Sequence, residues 1–323
     1  MIGKTGPMAQ KPAITTIRNP VQQGHGKSIP TPPHTKIVAF ANFKGGVGKT
    51  ACAVSIAGCL AYQFRKRVLL IDLDVQSSLG QWLFGSQLWW NRSRHWAGTS
   101  YQVFQDIISG THLWNVHDSS FDLDSCPNLR VCPATYDMVD LDAQLHYSLN
   151  KPSHPKPFQC LDIVIKPWCH GFDYVLLDCP PNMLQVTRNA LYCADYVLIP
   201  TVPDFLSTAG IKRLVEHIRG LRDQFLLFDT DPVKIGGIIV SMYEMTKAST
   251  MDPFVGEIDA YLAEQKSYNH VFTEKSEVFP QKIRRLSAVA QAQERSLPVT
   301  IAFPNSEASR DVIQLTHRIM EVV

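Results

Sequence analysis

Short apolar runs alternate with longer amphipathic stretches along this chain. Strand-like runs fall near 37–42, 68–72, 130–132, 173–178, 195–200 and 234–241. Helical spacing of apolar residues falls near 49–64, 101–109, 184–193, 206–224, 253–266 and 307–322. A short apolar run bounded by turn residues reads as a buried strand, and its alternation with helices is what a parallel sheet requires. The pattern predicts an α/β fold, a mostly parallel twisted sheet flanked by helices. No internal repeat is visible.

Three of these strands end in chemistry. The run Ile37–Phe40 leads into Lys44-Gly45-Gly46-Val47-Gly48-Lys49-Thr50, and a helix follows at once. Strand, glycine-rich loop and helix is the order a phosphate loop needs, because glycines let backbone N–H groups approach the phosphates and the helix N-terminus adds partial positive charge. Lys49 is expected along the β- and γ-phosphates, and the Thr50 hydroxyl on Mg²⁺. The ordinary Walker A pattern wants glycine at 43; this chain has Phe43, with Lys44 next to it. An extra cation in the loop suits phosphoryl transfer, which is catalysed mainly by positive charge placed on developing negative charge. It suggests an ATPase completed across a dimer. The strands Val68–Asp72 and Tyr174–Asp178 each end in an acid, where an α/β sheet binds its ligands.

Together these segments resemble the ParA/MinD family of deviant-Walker P-loop ATPases, ParA more than MinD. The matching stretches are FKGGVGKT (43–50), VLLIDLDVQ (68–76), VCPATYDM (131–138), DYVLLDCPPN (173–182), NALYCADYVLIPTVPD (189–204), GGIIVSMYE (236–244) and RRLSAVAQAQERSLPV (284–299). The resemblance implies ATP and Mg²⁺ as cofactors and a slow hydrolysis to ADP and phosphate. By it, residues 44–50 and Ala51 surround the phosphates, and Lys44 reaches into the partner subunit's nucleotide. Asp74 lies in the first switch and helps place the attacking water, with Asp72 near the metal. Asp178 is the Walker B acid. Pro203, Asp204 and Met242-Tyr243 lie near base and ribose. Two departures stand out: Ala51 where the family has a second threonine, and Val75 where it has a proline that stiffens the switch. The lost hydroxyl removes one neutral hydrogen bond, worth about 1 kcal/mol.

The 323 residues suit one large domain, 36–323, preceded by a segment of different character. Residues 1–35 hold six prolines, several glycines and four basic residues, with no acid: a flexible basic tail. Net charge is only +2, so any nucleic-acid surface must be local. Candidates are Lys212, Arg213, Arg219 and Arg222 on one helix, and Lys282, Arg284 and Arg285 near the C-terminal motif. Arg285 falls where the family places a DNA-contacting arginine; where it often has another, this chain has Thr246 with Lys247 adjacent. The 212–222 cluster reads equally as a solvated helix face. Trp89, Trp90 and Trp96, interleaved with Arg92 and Arg94, read as a loop packed on the body or as a partner surface.

The eight cysteines form no C-x-x-C pair, which leaves metal-cluster and redox roles unsupported and suits a reducing cytoplasm. No signal peptide or long apolar run is present. The stretch 310–323 reads as a packed final helix, so a MinD-type membrane helix is not expected. No N-K-x-D motif supports GTP. The function implied is an ATP-dependent homodimer that binds DNA without sequence preference, at the nucleoid. With a ParB-like partner it would segregate plasmid or chromosomal DNA. A relative that positions a protein cargo through an adaptor shares every residue named.

Overall fold

A computed structural model describes residues 35–323 apart from 86–88, 90–97, 112–113, 150–154, 229–231 and 268. The basic tail up to residue 34, and residues 90–97 of the tryptophan segment, lie outside the described residues. Trp89 is described and is buried, its ring against Gly80.

Among the described residues eight strands form one sheet, in the order β3-β4-β2-β5-β1-β6-β7-β8. They are β1 (Lys36–Phe40), β2 (Val68–Asp72), β3 (Phe121–Leu123), β4 (Cys126–Cys132), β5 (Tyr174–Asp178), β6 (Tyr196–Thr201), β7 (Lys234–Val240) and β8 (Phe272–Val278). Every neighbouring pair is parallel except β3–β4. Side chains alternate between faces, as the pleat dictates. Ile37 and Ala39 join one apolar core and Val38 and Phe40 the other. Helices α3 (Tyr101–Ser109), α4 (Leu141–Leu149), α5 (Cys160–Ile165), α6 (Gln185–Cys193), α7 (Phe205–Phe225) and α8 (Ala248–Lys266) close the first core. Helices α1 (Lys49–Tyr62), α2 (Ser78–Phe84), α9 (Ser287–Glu294) and α10 (Glu307–Val322) close the second.

Helix α1 is apolar on nearly every side because the sheet and the C-terminal segments enclose it. Its Gly58 meets Pro298 so closely that a Cβ there would lie 2.3 Å from the proline ring. Thr35 ties the start of the body down by donating to the carbonyls of Cys169 and Phe172, each at 2.9 Å.

The register positions the site. Asp72 of β2 pairs with Asp178 of β5, and Asp178 with Phe40 of β1. All three stand level at the C-terminal edge, where β1 hands the chain to the phosphate loop. Strands β3 and β8 and helices α2, α4, α5 and α9 were not expected from the pattern. β8 is an edge strand that buries only Phe272, Ser276 and Val278, and β3 is three residues long.

Candidate functional site

The loop between β1 and α1 is held from below. Asn42, itself buried, donates from Nδ2 to the Pro200 carbonyl at 2.8 Å and accepts the Lys44 N–H at 3.0 Å. The Ser241 hydroxyl donates to the Val47 carbonyl at 2.6 Å. Gly46 and Gly48 take φ of 73° and 75°, the left-handed region where glycine is the unstrained choice. A Cβ built on Gly45 or Gly46 would touch nothing within 4 Å, so the loop's outer face is open to a ligand. Gly48 caps α1, whose first N–H groups face the same opening.

The two lysines are placed differently. Lys49 is buried and curls back to donate to the Lys44 carbonyl at 3.2 Å. Burial pulls its pKa below the usual lysine value, and the nearby Asp178, Cys179 and Asp74 oppose that pull. Lys44 leans outward to Asp204, with Nζ to Oδ2 at 2.8 Å, and donates to Ser207 Oγ at 3.0 Å. Asp204 also caps α7 by accepting the Ser207 N–H at 2.7 Å. The sequence placed Pro203 and Asp204 near base and ribose. In the structure Asp204 is the Lys44 partner and the cap of α7.

Three acids gather under the loop. Asp178 is buried, and neither carboxylate oxygen has a hydrogen-bond partner. Burial raises its pKa, the Asp74 charge adds to the rise, and Thr50 and Lys49 pull it back. The Thr50 hydroxyl stands beside that carboxylate. A buried, unpartnered carboxylate calls for a cation or ordered solvent. An oxygen-only pair of Thr50 and Asp178 fits a hard ion such as Mg²⁺, which keeps waters and ligand phosphates as its other partners. Asp72 is fully buried but satisfied: it accepts the Asp74 N–H at 3.0 Å and the Gly80 N–H at 3.3 Å. Burial and then the Asp178 charge raise its pKa well above the carboxylate range. Both Asp72 oxygens therefore anchor the loop that follows β2. Asp74 is half-buried and accepts the Gln76 N–H at 2.9 Å.

Beside the loop lies a cleft of about 890 Å³. One wall is Gly48, Ala51 and Cys52; the others are Ser241–Lys247 and Ile283–Ser287, and Trp82 lines it too. The two outer walls are joined by backbone bonds, Tyr243 N to Ile283 O at 3.1 Å and Arg285 N to Tyr243 O at 2.9 Å. Met242 is among the residues that line it. Its φ of 51° is unusual for a residue with a Cβ. Glu244 and Trp82 were missed by the sequence, which has no signal for a wall made of two segments about 40 residues apart.

The candidate DNA contacts do not form one basic patch. Arg284 makes a two-pronged pair with Asp311, both contacts at 2.8 Å, and reaches Glu307 at 3.0 Å. Lys282 meets Asp252 at 2.7 Å and lies 4.1 Å from the Tyr243 ring centre. Lys247 and Arg285 both pair with Glu244. Four cations thus face four carboxylates, so Lys282, Arg284, Lys247 and Arg285 each already have an acidic partner. On α7, Lys212 lies over the Tyr261 ring at 5.5 Å, Arg219 pairs with Glu216, and Arg213 has no ion-pair partner among the described residues. All eight cysteines are free and buried, as expected of small apolar side chains.

A family model described as an AAA domain matches residues 35–229. The chain is 30% identical over 236 residues to the chromosome partitioning protein ParA of Myxococcus xanthus, covering 71% of this chain and 72% of that one. It is 26% identical over 287 residues to a ParA family protein of Chlamydia trachomatis, covering 88% and 97%. Among solved structures, an ATP complex of a Cyanothece McdA variant superposes with a TM-score of 0.67 at 21% identity, over 90% of this chain and 96% of that one. That last likeness is one of fold.

Proposed function

The chain belongs to the ParA family of AAA-domain ATPases, and from that premise we propose that it is an ATP-gated DNA-binding dimer that partitions DNA. The observation that carries the ATP site is Asp178, buried and unpartnered beneath a glycine loop that presents Lys49 and Thr50. Gly45 to Ala51 bind the phosphates through the loop N–H groups and the α1 N-terminus. Lys49 leaves the Lys44 carbonyl and lies along the β- and γ-phosphates. Thr50 and Asp178 hold Mg²⁺, which when bound neutralises charge on the β- and γ-phosphates. Asp72 keeps the first switch in place through the Asp74 and Gly80 N–H groups. Asp74 then orients the attacking water. The base enters the cleft between Ala51 and Met242.

Lys44 is the residue that makes the site a dimer's. Within one subunit it rests on Asp204 and Ser207, and in the ATP state it crosses to the partner's nucleotide. The apolar side chains of Phe43, Phe205 and Leu206 are exposed in the same two segments, and this supports a second copy docking there. The dimer binds duplex DNA without sequence preference and releases it after hydrolysis, which a ParB-like partner stimulates. No helix among the described residues is long and apolar enough to cross a membrane.

The test is binding to random-sequence duplex DNA with no nucleotide, ADP, or a non-hydrolysable ATP analogue, across a salt series. Salt-sensitive binding is expected, far tighter with the analogue than with ADP or no nucleotide. Lys44→Ala should bind nucleotide as a monomer but lose both the dimer and the DNA. A wild-type protein that dimerises on the analogue yet ignores DNA in every state would overturn the DNA reading.

A further inference from the structure

Glu244 stands between two cations. Its Oε2 lies 2.7 Å from Lys247 Nζ and its Oε1 lies 3.3 Å from Arg285 Nη1. The three residues come from opposite walls of the nucleotide cleft, Glu244 and Lys247 from the segment after β7, Arg285 from the segment after β8. The two cations are the more exposed: their side chains are 58% and 69% accessible, against 23% for Glu244. The neighbouring cations are tied elsewhere. Arg284 is gripped by α10 through Asp311 and Glu307, and Lys282 by Asp252 on α8. Of these four cations, Lys247 and Arg285 share one acid, and that acid lines the cleft. Met242, two residues before it, holds a left-handed backbone that a side chain with a Cβ adopts under strain.

We propose that Glu244 makes duplex DNA binding conditional on the state of the nucleotide cleft. The inference rests on the DNA-binding reading above and adds the device that gates it. While Glu244 bridges Lys247 and Arg285, a phosphate backbone must compete with a carboxylate for both. An anionic nucleotide held by Gly48 and Ala51 shares the cleft with that carboxylate. Like charges repel more strongly in a partly closed cleft than in open water. Glu244 cannot turn away from the nucleotide without releasing both cations. The freed side chains face solvent, where each takes a phosphate oxygen and neither reads a base.

The full-length protein is titrated with labelled random-sequence duplex DNA, without nucleotide, across a salt series. Glu244→Gln should bind roughly tenfold more tightly than wild type, the scale of two exposed ion pairs. Its log–log salt slope should be steeper by about 1.8, two cations at ~0.9 each. Glu244→Asp, which keeps the charge, should stay near wild type. A folded Glu244→Gln protein that matches wild type in affinity and slope overturns the proposal; if wild type still binds DNA with ATP, the DNA-binding reading survives that loss. No DNA binding by either protein, with or without ATP, removes both. Should Glu244→Gln fail to fold, Lys247→Ala/Arg285→Ala carries the test. Its slope in the ATP state should be shallower by about 1.8, and an unchanged slope overturns the proposal.

Discussion

Asp178 is a carboxylate that the fold keeps at a cost. Both its oxygens are buried without a hydrogen bond, so the ionised form is disfavoured and its pKa stands above the usual range. The sign follows. A carboxyl whose folded pKa is raised binds more protons folded than unfolded through that window, so stability falls as pH rises through it. Above the folded pKa the full penalty is present. Asp178→Asn keeps the shape and removes the charge. In chelator, without nucleotide, it should stabilise the protein at pH 8 by about 1 kcal/mol, the scale of an unpaired buried charge less that of an unpaired amide. The gain should shrink toward acid pH, and ATP hydrolysis should be lost. Urea midpoints for both proteins over that range decide it; equal midpoints at pH 8 would mean the carboxylate finds a partner in solution. Ala51, one of the two departures from the family pattern, lines the cleft beside Gly48, so the missing hydroxyl is lost from the cleft side.

Helices and strands differ in how far the sequence announced them. The six long helices and six strands were legible because each buries a stripe or a run strong enough to be periodic. Helix α4 was not, although its Leu141, Leu145 and Leu149 recur at helical spacing among polar neighbours. The phosphate loop, Asp72, Asp74 and Asp178 were legible because spacing along one segment fixes them. The ion pairs that neutralise the basic candidates were not, because Arg284 meets Asp311 across 27 residues and Arg285 meets Glu244 across 41. No local pattern encodes such pairings. Two glycines test the packing of the elements themselves. Alanine is the better helix former, yet Gly58→Ala should cost about 1–3 kcal/mol because its Cβ would drive into Pro298. Gly220→Ala, in α7 with nothing within 4 Å of the new Cβ, should stabilise by roughly 0.5–1 kcal/mol. Chemical denaturation midpoints of the two variants should move in opposite directions.

At the scale of the molecule the sheet edge gathers both sides of the proposed cycle. The same C-terminal edge carries the phosphate loop, the first switch hung from Asp72, and the cleft whose far wall holds Lys247 and Arg285. Lys44 joins the loop to the head of α7, the helix that presents Arg213. A change at the phosphates therefore reaches α7 through Lys44 and the outer wall through Glu244, without any need for the sheet to deform. Asp74 is the element of this assembly that can fail without disturbing the rest. Its side chain supports only the local turn at Gln76, while Asp72 holds the loop through backbone N–H groups. Asp74→Ala should therefore bind ATP, dimerise and take up DNA, but turn over too slowly to let go. After excess ATP is removed, the wild-type complex should leave DNA as hydrolysis proceeds, whereas the variant complex should persist many turnovers longer. Release of the variant at the wild-type rate would mean that dissociation does not wait for hydrolysis, and that Asp74 does not position the water.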